Sequence, residues 1–400
     1  MYQEVKNVYH LLVAILATVI YGFPASRLKV IGVTGTDGKT TTSSLIYHIL
    51  KHAGKKVALI STVGAYIDNT SYDTGFHVTT PSSIQIQRYL SEARSRGVEF
   101  VVLETTSHAL DQNRVALISF EVGVITNISH EHLDYHKTYD KYLRAKLKLF
   151  EDSKNCILNR DDKSYKQIIN LKNKILNIRN KKFMTYGFGQ NSTINPDNFK
   201  FRSKLIGDFN KYNILAAVAA SKVLGVESKK IREAVLNFDL PSGRQEIVYQ
   251  KEFTVMVDFA HTPNAFAKLL SEISREKKGR LIHVFGSAGE RDATKRPMMG
   301  EESSKWSDLI ILTSEDPRKE KIENINRDIQ SGIPSNFSSL VQINNRREAI
   351  FKAINMAKRG DFILLTGKSH EKSINLGNGE EPWDEFKVIN DALKERGLIK

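Results

Sequence analysis

Residues 32–42, "GVTGTDGKTTT", constrain the fold more than any other stretch of this chain. The apolar run before them, "KVIG", reads as a buried strand. The run after them, closed by Gly54, reads as an amphipathic helix. A glycine-rich turn between strand and helix is built for phosphate. Backbone N–H groups of residues 35–39 can cradle the oxygens, and the helix points its positive end at them. Lys39 neutralises β- and γ-phosphates, and the Thr40 hydroxyl can hold Mg²⁺. Strict Walker spacing puts a glycine at position 33; this chain has Val33, with glycines at 32 and 35. A structural turn with an incidental lysine is the competing reading. The flanking strand and helix and the three consecutive threonines count against it.

The pattern continues as strand and helix in alternation. "KVALIST", "EFVVLET", "EVGVITNIS" and "NCILN" read as strands; "SSIQIQRYLSEARSRG", "YDKYLRAKLKLF" and the Ala-rich "GDFNKYNILAAVAASKVLGV" read as helices. Such alternation predicts a mainly parallel sheet covered by helices. "LPSGRQEIV" places Pro and Gly between two periodic regions. Beyond it "FTVMVDFA", "RLIHVFGS", "DLIILTSE" and "DFILLTGK" start a second alternating unit. The expected class is α/β: a P-loop central domain and a C-terminal Rossmann-like α/β domain. The boundaries read as a helical segment at 1–28, a central domain at 29–243 and a C-terminal domain at 244–400. The apolar run from Leu11 to Phe23 is shorter than a comfortable membrane span, and it reads as a docking helix ending near Pro24. Peripheral membrane contact is the minor alternative.

Four hundred residues are enough for two or three domains, and one cysteine, Cys156, excludes an internal disulfide framework and a cysteine zinc cluster. That suits a reducing, cytoplasmic setting. The net charge of +14 admits nucleic acid or a small polyanion as partner. The lysines are spread along the chain, with no basic run interleaved with aromatics, so they read as solvated surface and nucleic acid is not expected. A P-loop ATPase driven by nucleic acid remains an alternative; it predicts salt-sensitive binding.

The residues C-terminal to the loop separate motor from synthetase. Glu104 ends the strand of "VVLETTSHALDQNRV", where a carboxylate can ligate Mg²⁺ directly or through water. The chain then presents Ser107, His108, Gln112 and Arg114, polar groups suited to gripping a substrate. "TNISHEHLDYHKTYDKYLRAKLKLF" carries His130, His132 and His136 with Glu131 and Asp134. The spacing offers no third ligand to complete a zinc site.

"TGTDGKTTT", "TTPSS", "ETTSHALDQNRV", "TNISHEHLDYH", "AKLKLF", "GDFNKYN", "PSGRQE", "VDFAHTPNA", "GSAGERDATKRPMMG", "TSEDPRKE" and "GKSHEKS" occur in that order from about Lys29 onward. Together they resemble the Mur ligases, and most closely the members that form a tripeptide. Eleven ordered motifs are far more specific than any one of them.

The resemblance implies an ATP-dependent amide ligase of peptidoglycan synthesis. A carboxylate attacks the γ-phosphate, and an amine displaces phosphate from the acyl phosphate. Two anions must approach, so positive charge must be concentrated there. It implies Gly35, Thr36, Asp37, Gly38, Lys39, Thr40 and Thr41 on the triphosphate, with one Mg²⁺ at Thr40 and a second held by Glu104 and His132. Lys146 matches a lysine that the family carries as a carbamate; by itself it reads as an ordinary helix lysine. Asn210 and Asn213 match the segment near adenine, Arg244 an arginine that reaches phosphates, and Asp258, His261 and Asn264 nucleotide contacts. Thr79, Thr80, Ser107, Gln112 and Arg114 match contacts to the muramoyl-peptide. Arg291, Glu315, Asp316, Arg318, Gly367 and Glu371 match the amino-acid pocket.

Arg318 can grip the distal carboxylate of meso-diaminopimelate in a bidentate contact, which favours that amino acid over lysine. Glu315 and Asp316 stand where the family pattern has Asp and Asn, and Ser369 stands where it has Gly. An extra negative charge beside Arg318 acts against carboxylate binding. Family members usually carry an N-terminal domain of nearly a hundred residues for uridine diphosphate, and about 28 residues stand there in this sequence. The expected substrates are UDP-MurNAc-L-Ala-D-Glu and an amino acid. The alternative is the same chemistry on a polyglutamate-like or lipid-linked carboxylate.

Overall fold

A computed structural model of the chain describes residues 2–72, 79–129 and 131–400. His130 lies outside the described residues. The fold is α/β, in two compact units, Met1–Pro241 and Ser242–Lys400.

The first unit is built on eight strands among the described residues. They are β1 (Lys29–Thr34), β2 (Val57–Ser61), β3 (Gly64–Ile67), β4 (Thr70–Tyr72), β5 (Phe100–Glu104), β6 (Phe120–Ile125), β7 (Ser153–Asn159) and β8 (Lys182–Tyr186). They lie in the order β4-β3-β2-β5-β1-β6-β7-β8. From β2 through to β8 the pairs are parallel; β3 and β4 join antiparallel at one edge. β1 and β5 are buried along nearly their whole length, as expected for parallel strands covered on both faces. Helices Lys39–His52 and Asp208–Val223 pack on one face through Leu45, Ile46, Ile49, Leu215 and Val218. Helices Ser83–Ser95 and Tyr139–Glu151 are started by hydroxyl caps. Ser82 forms a full capping box with Gln85, and Thr138 accepts from the Lys141 N–H.

The strand read from "EVGVITNIS" ends at Ile125. Residues 126–129 leave the ladder because they bond the phosphate-loop backbone instead: Thr126 Oγ1 donates to Asp37 O at 2.7 Å, and Asn127 Nδ2 to the same oxygen at 2.9 Å. The N-terminal segment is a helix, Tyr2–Ile20, lying against helix Ser83–Ser95. It docks with its small residues, Ala14 and Ala17, while Val5, Val8, Leu12, Leu16, Val19 and Ile20 are exposed. Among the described residues no helix is long and apolar enough to cross a membrane.

The second unit holds β9 (Glu246–Gln250), β10 (Thr254–Asp258), β11 (Leu281–Phe285), β12 (Leu309–Leu312), β13 (Leu340–Gln342) and β14 (Phe362–Thr366). Their order is β13-β12-β11-β14-β10-β9, parallel except for β9. The motif-bearing loops leave the carboxyl ends of β10, β11, β12 and β14, which is where open α/β sheets bind ligands.

Candidate active site

In the first unit the phosphate loop joins β1 to helix Lys39–His52. Its glycines are required by close approach. A Cβ built on Gly35 lies 1.8 Å from Thr126 Oγ1, and one on Gly38 (φ 77°) lies 2.2 Å from Asn213 Oδ1. Asn213 also accepts from Thr42 Oγ1 at 3.4 Å and donates to Asn210 Oδ1 at 3.2 Å, so both asparagines brace the loop. Lys39 Nζ folds back onto Thr36 O at 2.8 Å. Thr41 is buried in the first helical turn.

Glu104 is fully buried at the end of β5. Thr40 Oγ1 donates to its Oε1 at 3.0 Å, and the N–H and Oγ1 of Thr62 donate to its Oε2, each at 3.0 Å. Among the described residues its partners carry no charge. A carboxylate out of water is satisfied by a cation, so Glu104 and Thr40 together fit a divalent metal. Thr62 was not anticipated: nothing but its place one residue beyond β2 distinguishes it in sequence. Among the described residues there is no preformed cluster of three or more His, Cys, Asp or Glu in metal-binding geometry.

Lys146 is buried in helix Tyr139–Glu151, and its Nζ donates to Gly35 O at 2.7 Å while lying over the Tyr142 ring. Burial holds its pKa well below the ordinary lysine value, and the Lys39 charge acts the same way. The sequence alone favours a surface lysine here; the fold turns this residue inward to the phosphate loop.

His132 adopts a left-handed backbone, φ 56°, immediately before helix Leu133–His136. Its ring meets His108 edge-on at 4.7 Å and Tyr142 at 6.3 Å. His136 Nε2 lies 3.1 Å from Ser107 Oγ; burial lowers its pKa to about 4, so its ring is neutral at pH 7.

Of the residues matched to muramoyl-peptide contacts, Thr80, Gln112 and Arg114 are joined by hydrogen bonds. Thr80 Oγ1 donates to Glu104 O at 3.1 Å and accepts from the Thr106 N–H at 2.9 Å. Arg114 donates to Thr80 O at 3.1 Å and to Gln112 Oε1 at 2.8 Å. Thr79 is half-buried beside Thr80. Tyr135 OH ties Gln112 to Asp111, and Gln3 of the N-terminal helix donates to it at 2.7 Å.

In the second unit Asp258, at the end of β10, accepts from the Gln245 and Ala260 N–H groups at 2.8 and 2.7 Å. The Arg244 guanidinium lies over the Phe259 ring at 4.4 Å, and His261 and His370 also pack on that ring. Asn264 lies in the first turn of helix Pro263–Glu276, capped by Thr262.

Four of the six residues matched to the amino-acid pocket meet around a buried lysine. Lys368 Nζ bridges Asp316 Oδ1 at 2.9 Å and Glu371 Oε2 at 2.7 Å. Glu315 Oε2, buried and without a hydrogen-bond partner among the described residues, lies 2.9 Å from a Cβ built on Gly367. Burial, reinforced by Asp316, raises the Glu315 pKa to about 7. Arg318 (φ 53°) donates to Gly289 O, and Arg291 stands on an exposed part of the same β11 loop. Ser369 (φ 50°) donates to Gly243 O at 2.7 Å. His132, Gln245, Glu290, Arg318 and Ser369 all hold positive φ without being glycine, and all fall within the motif loops. Strain of this kind concentrates at functional sites.

The two units coincide with two kinds of domain found together in one class of amide-forming synthetase. Residues 33–221 match the Mur ligase middle domain, and residues 243–369 match the Mur ligase glutamate ligase domain. The chain belongs to the Mur ligase family. It is 40% identical to the "UDP-N-acetylmuramoyl-L-alanyl-D-glutamate--2,6-diaminopimelate ligase" of Aquifex aeolicus, over 95% of this chain and 80% of that one. A protein of the same name from Clostridium acetobutylicum, designated ligase 1, is 37% identical over 96% of this chain and 81% of its own. A solved structure under that name superposes with a TM-score of 0.61 at 30% identity, covering 92% of this chain and 79% of that one.

Proposed function

We propose that this chain is an ATP-dependent acid–amino-acid ligase that adds meso-diaminopimelate to the D-Glu carboxylate of UDP-MurNAc-L-Ala-D-Glu. The observation that carries the reading is the contact of Glu104 with Thr40 directly beneath the phosphate loop. A metal-holding carboxylate and a phosphate cradle are thereby joined in one unit.

Lys39 and the loop N–H groups bind the triphosphate and offset its charge as the carboxylate approaches. The carboxylate oxygen bonds to the γ-phosphorus and ADP departs. The amine then bonds to the acyl carbon and phosphate departs. Mg²⁺, when bound, supplies charge neutralisation at the phosphates; Thr40, Glu104 and His132 are the residues proposed to hold it. Lys146 is poised for carbamylation, because burial favours the neutral amine, the form that adds CO2. A carbamate there would place an anion on the buried side chain that faces the loop. Thr80, Ser107, Gln112 and Arg114 orient the muramoyl-peptide, and His136 holds the Ser107 hydroxyl.

Arg244, Asp258, His261 and Asn264, in the second unit, are proposed as further nucleotide contacts. In the same unit Arg318 is proposed to take the distal carboxylate, with Glu371 and Gly367 taking an ammonium. Asp316 opposes this less than an unpaired carboxylate would, since it shares Lys368 with Glu371.

The test is ATP-dependent phosphate release with Mg²⁺, bicarbonate and the UDP-dipeptide, adding meso-diaminopimelate or L-lysine in turn and weighing the products. A tripeptide bearing diaminopimelate supports the reading. Folded, ATP-binding protein that makes no amide with either amino acid overturns it.

A further inference from the structure

Arg346 and Glu385 form an ion pair with both side chains fully buried. Arg346 Nε donates to Glu385 Oε2 at 2.9 Å and its Nη2 to Oε1 at 2.5 Å, while Trp383 Nε1 donates to Oε2 at 2.9 Å. Neither residue belongs to the proposed site, and stability alone is a poor reason for the pair. Buried ion pairs are often no better than apolar residues of equal volume. Arg346 is moreover the first residue of helix Arg346–Met356, where a cation opposes the helix dipole.

The remaining donors of Arg346 show where it acts. Nη1 donates to Ser314 O at 3.2 Å, and Nη2 to Thr366 O at 2.8 Å. Ser314 immediately precedes Glu315, and Thr366 immediately precedes Gly367. One rigid, planar guanidinium therefore ties the two main chains at the points where the amino-acid loops leave β12 and β14. Beyond those points the loops meet at close tolerance, through Lys368 with Asp316 and through Glu315 against Gly367. The Thr366 side chain is fixed as well, by His283 Nε2 at 3.0 Å from its Oγ1.

We infer that Arg346, held by Glu385, is a positioning residue for the incoming amino acid, fixing the spacing between the loop of Glu315, Asp316 and Arg318 and the loop of Gly367 and Glu371. This rests on the proposed ligase activity. A lysine has one donor centre and cannot bridge both carbonyls while keeping Glu385. A guanidinium acts without touching substrate, so its loss should change the grip on the amino acid and leave the first half-reaction intact.

The experiment compares wild type, Arg346→Lys, and the charge-neutral double variant Arg346→Met with Glu385→Gln, which leaves Trp383 an acceptor and no buried charge. KM for diaminopimelate, KM for ATP, kcat, and trapping of the acyl phosphate without amino acid are measured on each. The expected result is a KM for diaminopimelate raised roughly tenfold or more, with KM for ATP and acyl-phosphate trapping within about twofold. An unchanged KM for diaminopimelate in a folded variant overturns the inference. So does equal loss toward all substrates, or failure of both variants to fold, because either makes the pair merely structural. A wild-type protein that forms no amide with diaminopimelate instead defeats the proposed ligase activity.

Discussion

Lys368 Nζ stands 2.9 Å from Asp316 Oδ1 and 2.7 Å from Glu371 Oε2, with its own side chain fully buried. This relationship bears on the sequence pattern "EDPR", which sets two carboxylates beside the arginine matched to a distal carboxylate. One lysine is shared by two carboxylates, so the negative charge of Asp316 is offset only in part. Glu315, its pKa raised to about 7 by burial and by Asp316, carries only part of a charge at neutral pH. Arg318 therefore stands beside a pair whose negative charge is reduced.

Lys146 should separate activity from stability. A buried lysine whose charged form is disfavoured detracts from stability, whereas methionine fills the same volume without desolvation. Lys146→Met is expected to unfold at the same temperature or a higher one. It should lose activity by roughly 10²- to 10³-fold, the scale of removing one electrostatic group from a transition state. Intact mass spectrometry in bicarbonate should show one added CO2 on wild type and none on the variant. A Lys146→Met protein that keeps full activity ends the carbamate proposal.

Glu104 and Thr40 differ in what each is proposed to give the metal. Glu104→Gln removes the carboxylate charge and should abolish Mg²⁺-dependent phosphate release. Thr40→Ala leaves the carboxylate in place but removes one donor to it; the Mg²⁺ needed for half-maximal rate should rise roughly 10- to 100-fold, with the saturated rate less affected. Titrating Mg²⁺ at fixed ATP distinguishes the two. Identical curves for Thr40→Ala and wild type would remove Thr40 from the site.

The α/β class and the phosphate loop were legible because strand–helix alternation and a glycine turn are local patterns. Less legible was whatever depended on distance along the chain. Thr62 is an ordinary residue in an ordinary run, and Thr126 and Asn127 open a quoted motif that says nothing of what they bond; the parallel pairing of β2 with β5 and of β6 with β1 brings them to Glu104 and to the loop. Lys146 and Lys148 look alike in "AKLKLF", yet one is fully buried and the other half-exposed, since two helical positions separate their faces by about 200°. Arg346 and Glu385 lie 39 residues apart, and no periodicity announces a buried pair.

Acid should weaken the second unit from within. His283 is fully buried with its pKa lowered to about 3, and His370 is lowered to about 4, in both cases chiefly by burial. Unfolding returns each to about 6.5. Between those values the unfolded chain binds more protons than the folded one, so stability is full above pH 6.5 and falls as pH drops toward 4. Each histidine contributes a slope approaching about 1.4 kcal/mol per pH unit. Thermal unfolding followed from pH 7.5 to 4.5 should show this decline, and His283→Gln should flatten it. A variant curve parallel to wild type would mean that other groups set the acid limit.

Arg318 should decide which amino acid is joined. Diaminopimelate differs from lysine by one distal carboxylate, and a planar guanidinium can bind it through two parallel hydrogen bonds. A site built for such a group rejects the analogue lacking it strongly, because its buried polar groups are left unpaired. Arg318 is held in place by its left-handed backbone and by its bond to Gly289 O. Arg318→Met should raise KM for diaminopimelate by roughly 10²-fold or more while leaving KM for ATP unchanged, and it should erase the preference over lysine. Arg318→Lys should recover little, since an ammonium cannot reproduce the fork. Asp316→Asn should remove the negative charge left over there: Lys368 then balances Glu371, so carboxylate binding should tighten and ammonium binding weaken. Competition between diaminopimelate and lysine, read as the ratio of tripeptide products, measures all three variants together. A ratio that stays with wild type in Arg318→Met would assign the discrimination to other residues of the pocket.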